Sequence, residues 1–394
     1  MSFVSYTGLT SPNAVLEKMS EFALASGWTI LENCTDDLAI DESGTYDGKR
    51  LVIKNADSSV FGSFRTANGK KIFESQEETT YTSGGVTKNT DYGIGLIGHT
   101  AYTANPSSGL WFDQPEVTRH LSTGEAIGVG VAMNPDAEYT LYCNCVTSPA
   151  DMLIFSLYDG NIFQHLAIGN LEKVGNWDGG LIISASRNSY YMFTKSTTYA
   201  VSAMEQECAP IFSSTQYAST FLRIDVDAAP DRAPSIGGIL WASSGSTASG
   251  IQYGYTGKQL ALPVFTSEVE GSTWGAKIPN YRKLQSQNST DTGINVNTLN
   301  CITMNMNLAA YVVRDPDSLR NFSPVGYISG CYFISLRNVA PADCYEISYP
   351  QSGSLHQVFP YTRRRGVYGM DGFSVVQEES EQNEEEEQEE NVGE

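Results

Sequence analysis

Apolar residues along this chain come in short runs, either alternating with polar ones or nearly continuous, and glycine, asparagine, aspartate and proline separate the runs. That pattern belongs to strands and turns, because a strand shows a period of two and a buried strand an unbroken apolar stretch. It predicts strands over 28–32, 50–54, 60–66, 71–75 and 92–102 in the first part of the chain. Further strands are expected over 126–133, 138–146, 152–158, 162–169, 180–185 and 190–194, and later over 239–242, 259–265, 309–313, 325–336 and 346–349. Asn68-Gly69 and Asp159-Gly160 lie between apolar runs and read as hairpin turns, which need residues that tolerate positive φ. One segment has helical spacing instead. Ser11 is an N-cap followed by Pro12 at the first helical position; Val15, Met19, Phe22 and Ala23 form one stripe, and Gly27 ends it.

The expected fold is therefore mostly β with a minor α contribution, built as strand-rich, sandwich-like domains behind a short N-terminal helix. Loop-like stretches suggest divisions into residues 1–104 (helix plus a small β module), 105–200 (a central β domain), 201–376 (a strand- and loop-rich region) and 377–394 (an acidic tail). Composition agrees, with 41% hydrophobic residues, Gly 36, Tyr 22 and Phe 16.

Charge changes the picture at one end. The net charge is −21, and residues 377–394 hold ten glutamates, Glu384, Glu385, Glu386 and Glu387 among them, with no lysine or arginine. Such a segment repels itself and has no apolar surface to bury, so alone it is expected to be disordered. Phosphate backbones and anionic lipids are bound by clustered cations, so neither nucleic acid nor a membrane surface is an expected partner. Met1 to Leu16 has neither the charged nor the apolar region of a signal peptide, and no apolar run approaches the roughly 18 residues of a membrane span. Arg363, Arg364 and Arg365 form the one compact basic patch. A contact with nucleic acid, with an acidic neighbour, or with a glutamate-rich tail from the same or an adjacent subunit would each use it.

Motifs for catalysis are lacking in the sequence: no GxSxG, Walker loop, HExxH or calcium loop occurs. Gly93-Ile94-Gly95-Leu96-Ile97-Gly98 matches GxGxxG but follows polar Thr90-Asp91, which favours a glycine-rich strand over a dinucleotide loop. The histidines at 99, 120, 165 and 356 are scattered, and His165 reads as a hydrogen-bonded structural residue. The seven cysteines show no CxxC pair; Cys143 and Cys145 share a strand face without further ligands, so buried free thiols are expected and no metal or other cofactor is. Asp36, Asp37, Asp225, Asp227 and Asp231 read as solvated loop carboxylates.

Three stretches together resemble a family of tailed-bacteriophage virion proteins. The first is Gly27-Trp28-Thr29-Ile30-Leu31 with Lys49 to Lys54 and Val60 to Thr66. The second is Leu110-Trp111-Phe112-Asp113-Gln114-Pro115 followed by Ala132-Met133-Asn134-Pro135-Asp136. The third and most specific runs from Phe163-Gln164-His165-Leu166 through Leu171-Glu172-Lys173 to Trp177-Asp178-Gly179-Gly180. The likeness covers roughly residues 10 to 190. It implies a non-enzymatic building block of a tail, baseplate or neck and collar, located in the virion after assembly in the host cytoplasm. Its implied partners are other phage virion proteins and further copies of itself, in a ring or trimer. In such a particle, residues to about Ala104 would dock on a neighbour, the central unit would form the ring, and the C-terminal half would make partner-specific contacts.

A competing reading makes the chain a glycan- or receptor-binding protein of the virion surface, with Trp111, Trp177, Trp241 and Trp274 stacking on sugar rings. It requires exposed, coplanar aromatics. A depolymerase would instead need two carboxylates about 5 to 10 Å apart in a cleft. If the glutamate-rich end neutralises basic surfaces of adjacent subunits, deleting Glu378–Glu394 lowers the yield of assembled particles; unchanged assembly would remove that role.

Overall fold

The computed structural model of the protein describes residues 2–33, 48–68, 80–83, 86–89, 92–119, 126–188, 211–212, 219–225, 239–243, 260–261, 305–313, 322–336, 339–347, 353–361 and 371–377. The mostly β expectation holds: among these residues one helix accompanies strands that all pair antiparallel.

The N-terminal elements are β1 (Phe3–Leu9), α1 (Pro12–Ala25), β2 (Thr29–Glu32), β3 (Arg50–Lys54), β4 (Phe61–Asn68), β5 (Thr80–Ser83), β6 (Val86–Asn89) and β7 (Tyr92–His99). β8 (Val129–Ala132), β9 (Tyr139–Val146), β10 (Met152–Tyr158), β11 (Phe163–Lys173), β12 (Asp178–Ala185) and β13 (Arg187–Asn188) follow. The remainder contributes β14 (Thr220–Asp225), β15 (Ile239–Ser243), β16 (Leu260–Ala261), β17 (Asn305–Val313), β18 (Phe322–Ser335), β19 (Cys344–Ile347), β20 (Ser354–Pro360) and β21 (Asp371–Val376).

Capping explains the helix. Ser11 Oγ accepts a hydrogen bond from the Ala14 N–H at 3.2 Å, Pro12 opens the first turn, and Gly27 leaves the helix at φ +84°. Its apolar stripe, with Leu16 added, is fully buried, and Phe22 meets Phe155 edge to face at 6.3 Å.

Strand pairing builds three layers. β2, β3, β4, β7, β8 and β13 form a six-stranded sheet, and β5 pairs with β6 in a separate hairpin. All other strands join one 13-stranded sheet whose middle is β9, β10, β11, β12 and β14. The period of two sorts these middle strands cleanly between two cores. Leu141, Cys143, Leu153, Phe155, Leu166, Ile168, Leu181, Ile183 and Phe221 point toward α1 and the six-stranded sheet. Ile154, Phe163, Ala167, Leu171, Ile182 and Leu222 point the other way, onto Ile328, Phe333, Phe359, Phe373 and Val375 of β18, β20 and β21. A layer covered on both faces has no solvent side, which is why Met152-Leu153-Ile154-Phe155 and Leu181-Ile182-Ile183 read as continuous apolar runs.

β11 is where the large sheet changes partners. Phe163–Gly169 pair with β10, and Leu171–Lys173 pair with β18. The backbones crowd here, and glycine provides the room: a Cβ at Gly169 would lie 2.2 Å from the Asp151 carbonyl oxygen, and one at Gly326 would lie 2.5 Å from that of Glu172.

These pairings cross the divisions expected at 104 and 200, since β1 pairs with β9, β12 with β14, and β11 with β18. The segments contribute to shared sheets. Asp159-Gly160 does turn a hairpin between β10 and β11, with Asp159 Oδ1 accepting from the backbone of Asn161 and Ile162. The turn expected at Asn68-Gly69 runs outside the described residues, as do the strands expected at 71–75 and 190–194; along its described length β4 pairs with β3 and β7.

Replacing Gly169 by alanine is expected to cost about 1–3 kcal/mol, because the new methyl group meets backbone that has nowhere to move. A lowered urea midpoint with an unchanged slope is the predicted result; an unchanged midpoint would show that the β10–β11–β18 junction is not tightly closed.

Candidate interaction surface

The described histidines lie inside. His165 Nε2 sits 2.8 Å from the Pro360 carbonyl oxygen, which only accepts, so this nitrogen carries the proton. Nδ1 then accepts from the Ser156 hydroxyl at 2.8 Å. His99 shows the opposite tautomer by the same reasoning: Nδ1–H donates to the Ala101 carbonyl at 2.7 Å, and Ser63 Oγ donates to Nε2 at 2.8 Å. A serine aimed at an imidazole is half of a nucleophilic pair, yet Ser63, His99, Ser156 and His165 are each 0% exposed, so no substrate reaches them as they stand. Each pair links neighbouring strands of one sheet. His165 joins the central layer to β20, packed among Phe163, Phe359 and Phe373, and is hydrogen-bonded as expected.

Burial, which penalises the imidazolium, pushes both His99 and His165 down to about 4, and His356, close to Ser374, likewise. Burial also raises the thiols of Cys143 and Cys331 well above their ordinary range, which keeps them protonated and unreactive. Cys143 and Cys145 face one core together, as their spacing requires; both are buried, as is Cys331, whereas Cys344 is exposed.

The tryptophans do not form a sugar platform where they are described. Trp111 is 4% exposed and packs with Phe112, Val117 and Ala126 onto Ala67, Ile97 and Ala132, so the loop carrying it roofs the outer face of the six-stranded sheet. Trp177 is half-buried on the β11–β12 hairpin; its Nε1–H donates to the Val325 carbonyl at 3.1 Å, and Lys173 Nζ sits 5.5 Å above the ring. Trp111 is thus a packing residue, whereas Trp177 stays partly exposed. The side chain of Trp241, and Trp274, Arg363, Arg364, Arg365, Glu384, Glu385, Glu386 and Glu387 lie outside the described residues, as do His120, Asp36, Asp37, Asp227 and Asp231.

What faces outward is backbone. β1 was not expected as a strand, because Phe3-Val4-Ser5-Tyr6-Thr7 lacks a clear contrast between apolar and polar positions; its enrichment in β-branched and aromatic residues was the available signal. It pairs with β9 on one edge, in the register Phe3↔Asn144, Val4↔Cys143, Ser5↔Tyr142. The Cys145 N–H donates to the Ser2 carbonyl at 2.8 Å, which makes Ser2, Val4 and Tyr6 the residues bonded to β9. Alternation then turns the N–H and C=O groups of Phe3, Ser5 and Thr7 to the opposite edge, where no described residue pairs with them. The side chains of Val4 and Tyr6 are half-buried against the first core, and Phe3 is 42% exposed.

No protein-family model matches the chain, and no curated protein matches it. Among the described residues, no helix is long and apolar enough to cross a membrane, and no three His, Cys, Asp or Glu side chains gather as a metal site would require.

The buried histidines give stability a definite pH dependence. Free in the unfolded chain they titrate near 6.5, in the folded chain near 4, so the unfolded state takes up more protons between those values. Stability is full above about pH 6.5 and falls as pH drops toward 4, by on the order of 3 kcal/mol for each fully buried histidine. Thermal midpoints measured from pH 7 to pH 4 should decline, and more shallowly in His165→Gln, whose amide can serve Ser156 and Pro360 without charging; parallel declines would show that His165 is not buried neutral.

Proposed function

We propose that the chain is a structural building block of a tailed-phage virion, in the tail, baseplate or neck, and that it works through protein–protein assembly with no catalytic step. One observation carries the reading: among the described residues the histidines and three of the four cysteines are buried, while the outward backbone groups of β1 meet no described partner. An enzyme inverts that arrangement. An assembling subunit needs it, because an open edge is a template for pairing with another chain.

The resemblance supports the same conclusion at its most specific stretch. Phe163 to Gly180 spans β11, its hairpin and the start of β12, the strands buried between the two cores. Its retained residues have structural work: His165 bonds across the layers, Lys173 covers Trp177, and Gly169 admits the neighbouring backbone. The Glu-rich end and Arg363–Arg365 add charges of opposite sign for contacts between subunits.

Mass spectrometry of purified, intact virions from cells expressing the chain tests this directly. The protein is expected in the particle at many copies; finding it only in the soluble fraction of the lysate would overturn the assignment.

A further inference from the structure

We infer that β1 is a homotypic docking strand: two copies of the chain join their large sheets by antiparallel β1–β1 pairing about a two-fold axis at Ser5. The inference deepens the assembly reading and rests on it.

β1 is the longest of the strands that end a sheet path among the described residues. β2 and β19 have four residues and contain Glu32 and Glu346, β15 has five, and β13 and β16 have two. Edge strands are ordinarily guarded by lysine, proline or inward charge, and Phe3-Val4-Ser5-Tyr6-Thr7-Gly8-Leu9 has none of these. On a chain of net charge −21, two copies approach most readily along a strip without charge.

The alternation selects the register. Phe3, Ser5 and Thr7 present the outward backbone groups, and pairing about Ser5 sets Phe3 against Thr7 and Ser5 against Ser5, so each facing pair exchanges both backbone bonds. The same register sets half-buried Val4 against Tyr6 of the second copy, a β-branched residue against an aromatic one, and extends the first core across the seam. The irregularity between Tyr6 and Leu9, with Gly8 at φ +75°, falls beyond the paired stretch. Charge beside the strip is self-complementary as well. Lys18 Nζ lies 5.3 Å above the Tyr6 ring and pairs with Glu21 at 2.7 Å, and an axis normal to the sheet brings both helices to the same side of the seam, where each Lys18 can meet the other copy's Glu21.

Sedimentation of the full chain tests the pairing. The wild type is expected at twice 42.9 kDa or an even multiple of it. Ser5→Pro removes an outward N–H that β9 does not use, so it should halve the mass while the circular dichroism spectrum is kept. Ser5→Lys and Ser5→Glu place like charges on the axis and should each weaken the dimer by roughly fivefold, and mixing the two should restore it. An undiminished mass in Ser5→Pro, or no recovery on mixing the charged variants, would remove β1 as the seam and leave the assembly reading in place. A wild type monomeric at every concentration overturns the pairing; absence from virions, scored separately, is what overturns the assembly reading.

Discussion

The described residues are arranged around a sheet layer packed on both faces. β9, β10, β11, β12 and β14 are covered on one side by α1 and the six-stranded sheet, and on the other by β18, β20 and β21. Removing that much apolar surface from water is the main source of stability, and it favours polar groups that find partners inside the layer; Asn144 does so at one end, its Oδ1 accepting from Gln377 at 2.8 Å. Ser156 meets His165, Ser184 meets Thr220 at 2.7 Å, and Gln164 holds the backbone of Ala132 through both ends of its amide. The histidine and serine pairs are thus explained by burial. They supply hydrogen bonds where the pleat places a polar residue among apolar neighbours.

The same constraint separates interior from edge. A doubly covered layer spends its side chains on packing and leaves its backbone exposed only where the sheet stops. At β1 the sheet stops without a guard, and half-buried Val4 and Tyr6 leave the first core unfinished. A second strand would complete both the hydrogen bonding and the packing there, which is the physical basis of the proposed pairing.

Much of this was legible in the sequence where local rules and burial agree. Ser11, Pro12 and Gly27 bracket α1 to within a residue, and Met152–Tyr158 is β10 end to end. The strand at 162–169 was read too short, because Gly169 and the charges of Glu172-Lys173 signal an ending, whereas β11 continues by pairing with β18 from far along the chain. β20 and β21 were missed for a related reason: His356, Gln357 and Ser374 are polar yet buried, and Asp371-Gly372 has the spelling of a turn. Polar residues satisfied by a distant strand defeat a reading based on pattern. The candidate surface was the least legible part, since Trp111 packs against the six-stranded sheet, and the edge at β1 consists of main-chain groups that no residue type announces.

Amide hydrogen exchange on the full chain, at low and at high protein concentration, tests the central claim most directly. The account predicts that β10, β11 and β12 exchange slowest at both concentrations, and that the amides of Phe3, Ser5 and Thr7 exchange freely when dilute and become protected when concentrated. Rapid exchange in β10–β12, or outward β1 amides indifferent to concentration, would contradict it.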